Sequence, residues 1–523
     1  MDIGDIHTDK DKGKEIILLM VCLVIGTVLR FHSFDQKSLW TDEIYTVQDS
    51  KDNLSGHIQY YKEKPTYLHP PLFYMLTHLF YPFNKAERDI RIFPLVFGTL
   101  SIPMIYLLAR SFSSAIALPC TFALALMTYH IALSQEGRSY TLIMFLGMAS
   151  LYFLLDYLKT SKKAFLILVA ILSAIMFHTS YSSIPFIVFS QMFWFYEPDG
   201  QEKKPRLSSF FLLSSLVALL IAPWTIFILS NYNGQPLNDT WHAEDPGSFV
   251  SIMYGVLHDW VPHWPLTVIS VILIILLPIL ARNRRNGLVL LANFLFPIGG
   301  LYLFCKILGI THFVSSRYFI TFLPLFLVTL FLSLAAIESR VHKLRRFMRL
   351  RLLFLILFIA SNLVILPLYY RSEKQDNRGL VNYLKGQLRE GDKIFIQKSV
   401  FLPGMLHYLG VSPESRYYKV HFSKNDPEKG VEYTRRFIYR DRPFIIYYSK
   451  NCCTQYVADG SRLWIIVEKS EAQNLKEHSP AVLKGYFDGS FLNLSQFPSD
   501  ASLYLFLWDP GSPKEKGIEL PIE

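Results

Sequence analysis

Apolar residues come in long blocks up to about position 370 of the 523-residue chain and then thin out. The blocks run over 15–34, 68–83, 90–109, 113–133, 140–158, 164–179, 181–196, 208–230, 265–281, 287–308, 317–337 and 350–370. A helix rises about 1.5 Å per residue, so roughly 20 apolar residues cross the hydrocarbon core of a bilayer. Many of the blocks reach that length. The pattern predicts an α-helical polytopic membrane protein with about 11 to 13 transmembrane helices, its partner solvent a lipid bilayer. After Tyr370 the pattern changes. RGLVNYLKGQL and LPGMLHYLG read as helices, and GDKIFIQ, RPFIIYYSK, RLWIIVEKS and ASLYLFLW as strands. Helices alternating with strands predict a soluble α/β domain over 371–523 behind a membrane domain over 1–370.

Charge orients the blocks. Basic stretches lie at Lys10–Lys14, Lys159–Lys163, Lys203–Arg206, Arg282–Arg285 and Arg340–Arg351, and from Lys159 onward they alternate with poorly charged loops. Basic loops stay cytoplasmic. The segment 35–66, the loop 231–264 and the domain 371–523 are then external. Residues 134–139 must be external too, because the basic loop one block later is internal. Three apolar blocks lie between 35–66 and 134–139, and an even number of crossings is needed. Either one block lies partly in the interface or a span is hidden within 35–66.

Composition narrows the class. The chain is 51% hydrophobic and only 18% charged, against about 25% charged in soluble domains. The net charge of +10 sits in short loops, where topology explains it, so nucleic acid is not an expected partner. Cys22, Cys120 and Cys305 fall in apolar blocks, and Cys452 and Cys453 are adjacent, so no disulfide framework is legible. The N-terminal DKDKGK resembles the start of a signal peptide, but Arg30 and Asp35 follow without a small-residue cleavage site, and the first block is read as a retained span.

Polar chemistry gathers at the external side of this topology. SLWTDEIYT places Asp42 and Glu43 side by side. On a helix they point about 100° apart and need not do the same job; Thr41 or Asp42 opening the helix as an N-cap is the structural reading, and a catalytic acid the functional one. HPPLFYML puts His69 before a proline-opened helix, either as an interfacial side chain or as a ligand. SQEGRSY holds Glu136 and Arg138 at the lip of a span, as a surface ion pair or facing a cavity. SSRYFITFLPL begins with Arg317 and Tyr318, a snorkelling pair or an anion clamp. The loop 231–264 adds His242, Glu244, Asp245, His258, Asp259 and His263 among tryptophans, too loosely spaced for a zinc site. Acids, arginines and histidines on one face of a membrane core suit a substrate with its tail in the bilayer and its phosphate at the surface.

W-x-D-E after the first span, HPPL opening a later block, SQEGRSY and a late RY together resemble the polytopic C-type glycosyltransferases. Within them the chain is similar to bacterial members of the protein O-mannosyltransferase and lipid A aminoarabinose transferase superfamily. EGRSY replaces the frequent EARPY, and Leu68-His69 stands where some relatives have Glu-Lys. The resemblance implies a hexosyl- or pentosyltransferase in a bacterial inner (cell) membrane, part of the cell envelope machinery. It implies a polyprenyl-phosphate sugar donor and a hydroxyl acceptor on a glycan, lipid or protein, with transfer on the external face. It also implies Asp42 as catalytic base with Glu43 beside it. Arg138, Arg317, Tyr318 and His69 would contact the donor phosphate, and Glu136 would help to bind a divalent metal ion or the donor. A single displacement would invert the anomeric carbon. A transporter or flippase of lipid-linked glycans is the alternative from another class, although no repeated halves are visible. A ligase moving whole glycans would share the topology.

Overall fold

The computed structural model describes residues 9–63, 69–200, 206–231, 248–307, 315–340, 349–397, 401–410, 433–439, 442–448, 460–489, 502–511 and 517–518. Tyr67, Trp241, His242, Glu244, Asp245, Cys452 and Cys453 lie outside them. Two compact units emerge. The first comprises residues 1–34, 50–367 and 494–496, and the second 35–49, 368–493 and 497–523.

The first unit is helical. Its elements are α1 (Asp9–Phe31), then α3 (Leu54–Glu63) and α4 (Leu72–His78) after the α2 helix (Thr41–Asp49) of the second unit. There follow α5 (Ala86–Asp89), α6 (Ile92–Phe112), α7 (Ser114–Ala125), α8 (Thr128–Ser134), α9 (Tyr140–Thr160), α10 (Lys163–Thr179) and α11 (Ile184–Phe189). The rest are α12 (Leu207–Asn231), α13 (Phe249–Trp260), α14 (Trp264–Leu280), α15 (Arg284–Ile307), α16 (Leu323–Arg340) and α17 (Leu350–Arg371), the last reaching into the second unit. Among the described residues six helices are long and apolar enough to cross a membrane, or eight if the bent pairs α7–α8 and α13–α14 each count as one. Ile16, Ile17 and Val28 of α1 and Ile275 and Ile279 of α14 point outward, a surface that water would not tolerate and lipid does.

Four of the twelve apolar blocks fall outside the count of eight: 15–34 and 164–179 form α1 and α10, and two others do not form a long helix at all. Block 181–196 breaks into 3₁₀ turns around the six-residue α11. Block 68–83 yields only the seven-residue α4, opened by Pro70 and Pro71. Seven residues rise about 10 Å, a third of the hydrocarbon thickness. In the described part of 35–66, α2 and α3 have only 9 and 10 residues. With the bent pair α7–α8 counted as one span, α6 and that pair give the even number of crossings that the charge pattern asks for. Conversely, α13 forms inside what reads as a loop. Ser248 caps it, accepting from Ser251 N at 3.1 Å, and Ile252, Val256 and Leu257 give it a buried stripe.

The 60° bend between α7 and α8 strands carbonyls inside the bundle, and Arg30 meets them. Arg30 is fully buried. It donates to Ala125 O at 3.0 Å, Leu124 O at 3.1 Å and Gly26 O at 2.8 Å. Its Nη2 lies 2.7 Å from His130 Nδ1. A guanidinium only donates, so that nitrogen of His130 is the acceptor. Across the bend Thr128 N donates to Asn362 Oδ1 at 2.8 Å, and Thr128 Oγ1 to Asn362 O at 2.9 Å. Close approach completes the packing: a Cβ on Gly26 would lie 2.5 Å from Ile102 Cδ1, and one on Gly98 would lie 2.2 Å from Ser134 Oγ.

The second unit carries a six-stranded sheet in the order β2-β3-β1-β4-β6-β5. Its strands are β1 (Lys393–Ile396), β2 (Tyr433–Tyr439), β3 (Arg442–Tyr448), β4 (Leu463–Val467), β5 (Val482–Phe487) and β6 (Leu503–Trp508). The strand β1 runs parallel to β3 and β4, and the other pairs are antiparallel. Both faces are covered. Trp464 and Ile466 share one core with α18 (Asn377–Gln387) and α19 (Leu402–Leu409), while Leu463, Ile465 and Val467 share another with α20 (Lys469–His478). That is why LWIIV is apolar throughout. Segment 35–49 belongs to this unit: Ser38 N donates to Glu373 Oε2 at 3.1 Å.

Burial pushes the Glu373 carboxyl up to about 7 and the neighbouring Asp376 adds to the shift, against Lys37, the Ser38 amide and Arg378. Between the ordinary carboxylate range and about pH 7 the folded unit keeps a proton that the unfolded chain has lost, so stability falls as pH rises through that window. We expect amide exchange in 35–49 to quicken, beyond its intrinsic pH dependence, from pH 5 to pH 8 in the wild type, and this excess to vanish in Glu373→Gln. At the α7–α8 bend, Arg30→Met should cost on the order of 3 kcal/mol by orphaning buried acceptors, read as a lower Tm of the detergent-solubilised protein, with Arg30→Lys intermediate.

Candidate active site

The two acids of WTDE part ways in the structure. Both lie in the first turn of α2. Glu43 is buried, and its Oε2 accepts from Trp40 N at 3.4 Å, reaching back over the helix start as the acid of a capping box does. Asp42 is half-buried, one position earlier and on another side of the helix. Thr46 Oγ1 donates to the Asp42 carbonyl at 3.1 Å, a contact with the backbone. An acid in the first turn is favoured by the helix dipole. Cap and chemistry can therefore reside on adjacent residues.

The other sequence-derived candidates belong to the first unit. Glu136 is buried, and Arg138 N donates to its carbonyl at 2.7 Å in the turn between α8 and α9. Gln135 braces that turn, its Nε2 donating to Arg30 O and His32 O at 2.8 Å each. Arg317 and Tyr318 open a 3₁₀ turn, Ser316–Phe322, ahead of α16. The Arg317 guanidinium lies 5.7 Å from the Tyr318 ring centre, which orients a cation over an aromatic face. His69 is exposed and stands edge-on to Tyr74, which stacks on His57 at 6.0 Å.

A buried relay connects these parts. Tyr129 Oη donates to Ser316 Oγ at 3.0 Å, and Ser316 Oγ donates to Asp259 Oδ2 at 2.5 Å. All three residues are buried, and Tyr129 lies within electrostatic reach of Glu136. The relay thus ties the residue before Arg317 to α8 and α13. Sequence reasoning missed Tyr129 and Ser316. The available signal was a tyrosine inside an apolar block, whose hydroxyl would lack a partner in lipid. Asp259 was singled out only as a loop residue. Among the described residues no three His, Cys, Asp or Glu side chains are grouped to hold a metal ion. Glu136 thus has no second and third His, Cys, Asp or Glu grouped with it among the described residues.

Comparisons with known proteins follow the same lines. Residues 68–227, which include His69, Glu136 and Arg138, match the family model of dolichyl-phosphate-mannose-protein mannosyltransferases. No curated protein matches the sequence significantly. Among solved structures the chain is similar to ArnT from Cupriavidus metallidurans in the apo state, at 10% identity and a TM-score of 0.51, over 95% of this chain and 98% of that one. It is similar also to ArnT from Cupriavidus metallidurans bound to undecaprenyl phosphate, at 11% identity and a TM-score of 0.50, over 97% and 99% of the two chains. At such identities the likeness speaks for the fold. This integral membrane protein thus carries a segment similar to the mannosyltransferase family model, within a fold that it shares along nearly its whole length with ArnT.

Proposed function

We propose that the protein transfers a sugar from a polyprenyl-phosphate donor to a hydroxyl acceptor on the external face of the membrane, with Asp42 as general base. The observation that carries the reading is the family match over 68–227. The structurally similar ArnT binds undecaprenyl phosphate, which supports a donor of that class. The capping contact of Glu43 and the half-open position of Asp42 support Asp42 as the base.

An acceptor hydroxyl is a weak nucleophile near neutral pH. Asp42 takes its proton as the oxygen closes on the anomeric carbon. The bond from that carbon to the phosphate oxygen breaks, and the electron pair leaves with the phosphate. The sugar passes through an oxocarbenium-like state, and one displacement inverts the centre. Phosphate is a good leaving group, so no general acid is required. Arg138 and Arg317 offset its growing negative charge, with Tyr318 steadying Arg317 and His69 a further phosphate contact.

A transfer assay on purified membranes with a panel of polyprenyl-phosphate sugars tests this. Asp42→Asn should lower turnover by at least about a hundredfold. Glu43→Gln, which retains an acceptor for Trp40, should lose less than about tenfold, in line with the modest worth of a cap. Arg317→Lys keeps the charge but loses the fork, and we expect about a tenfold loss in kcat/KM for the donor. A folded Asp42→Asn with the wild-type rate would remove the base assignment. If wild type consumed no lipid-linked sugar while a glycolipid crossed the bilayer, transport would replace transfer as the function.

A further inference from the structure

The second unit has a mixed sheet, two covered faces and no recognisable catalytic motif, yet it contains the stretch that leads into Asp42. Every residue from Gln36 to Thr41 is tied to the end of α17 or to the chain that follows it. Arg378 donates to Gln36 O, and Lys37 donates to Tyr369 O with its ammonium 3.6 Å from the Tyr369 ring centre. Ser38 Oγ accepts from Arg378 N at 3.1 Å. Leu39 is held at both ends: its N–H donates to Tyr408 Oη at 2.8 Å, and its carbonyl accepts from Asn377 Nδ2 at 3.0 Å. The Lys374 ammonium lies 3.5 Å from the Trp40 ring centre.

Gln375 closes the set. Its Oε1 accepts from Thr41 N at 3.1 Å, from Thr41 Oγ1 at 2.9 Å and from Asn377 Nδ2 at 3.1 Å. The Thr41 backbone N–H can only donate, so the amide atom that faces it is the oxygen. Gln375 and Asn377 are buried, so these bonds do not exchange freely with water. The clamp is itself braced. A Cβ on Gly404 would lie 2.3 Å from Asn377 Cγ, so α19 presses directly on the start of α18. Asp488, at the end of β5, accepts from Glu373 N at 2.9 Å, and its carbonyl accepts from Asp376 N at 2.9 Å.

We propose that the 373–377 segment and Tyr408 form a positioning clamp, by which the C-terminal α/β domain holds α2 and so aims Asp42. The proposal rests on the reading of Asp42 as the base. Gln375 is its central positioning residue: it touches Thr41, the neighbour of Asp42, and needs no contact with substrate. Loops that carry a reacting group lose rate when the group drifts by about 1 Å, because the reactive geometry is reached less often. Such a fault lowers kcat while leaving donor binding nearly intact.

The test uses the full chain in detergent or proteoliposomes, with the undecaprenyl-phosphate sugar that wild type consumes best. Gln375→Leu removes the shared acceptor. We expect kcat to fall about 10- to 100-fold, donor KM to move less than about threefold, and amide exchange over 39–46 to rise. Gln375→Glu restores an acceptor oxygen and should recover most of the rate, which a general loss of packing would not allow. Tyr408→Phe deletes one oxygen, keeps the ring, and should show a smaller fall in kcat with the same pattern. Wild-type kcat and unchanged exchange in Gln375→Leu, beside an inactive Asp42→Asn, would overturn the clamp and leave the base standing. An active Asp42→Asn would remove the base and the clamp's purpose together.

Discussion

A helix that stops inside an apolar bundle strands its last carbonyls, and in lipid no water can take them up. The first unit is organised around one such stop, at Ala125. Burying a guanidinium is costly, yet Arg30 offers several donors in a fixed fork, and a helix C-terminus is where a cation is welcome. One side chain from α1 thus serves the carbonyls of Leu124 and Ala125 and the ring of His130. With Asn362 holding Thr128 from the far side, the chain can bend by 60° without leaving polar backbone bare. That bend sets the course of α8, and α8 delivers Tyr129 and then the Gln135–Arg138 turn.

The same demand for partners sorts the polar residues near the candidate site. Tyr129, Ser316 and Asp259 lie far apart in sequence and are buried together. Each would be expensive alone, and as a relay each satisfies the next. In the second unit Glu43 turns back to the start of its helix and Asp42 stays half-open. A capping acid and a proton acceptor can be neighbours because successive helical residues face different ways. The sheet behind them supplies stiffness, since its α18 and α19 hold the backbone just before the helix.

Much of this was legible before any coordinates. The six long spans follow from block length, and α18, α19, β1, β3, β4 and β6 of the second unit from local patterning, whereas β2, β5 and α20 do not. Blocks 68–83 and 181–196 misled because apolar content says nothing about where a helix must stop. Pro70 and Pro71 fix a beginning for α4, but its early end is a matter of packing. The helix α13 was hidden because its neighbourhood is rich in His, Asp and Trp, the marks of a loop, while its buried stripe is short.

The sequence by itself determined the solvent of each part, since the length of an apolar run decides whether a bilayer can host it, and it singled out Asp42, Glu43, His69, Glu136, Arg138, Arg317 and Tyr318 as candidates. Only the tertiary structure decided which of two adjacent acids caps a helix, that Tyr129 and Asp259 meet through Ser316, and that residues 36–41 lean on a segment more than three hundred positions away. The reason is physical: local pattern records a residue's affinity for water or lipid, whereas a hydrogen bond needs a partner at about 3 Å, and the partner's place is known only once the whole chain has folded.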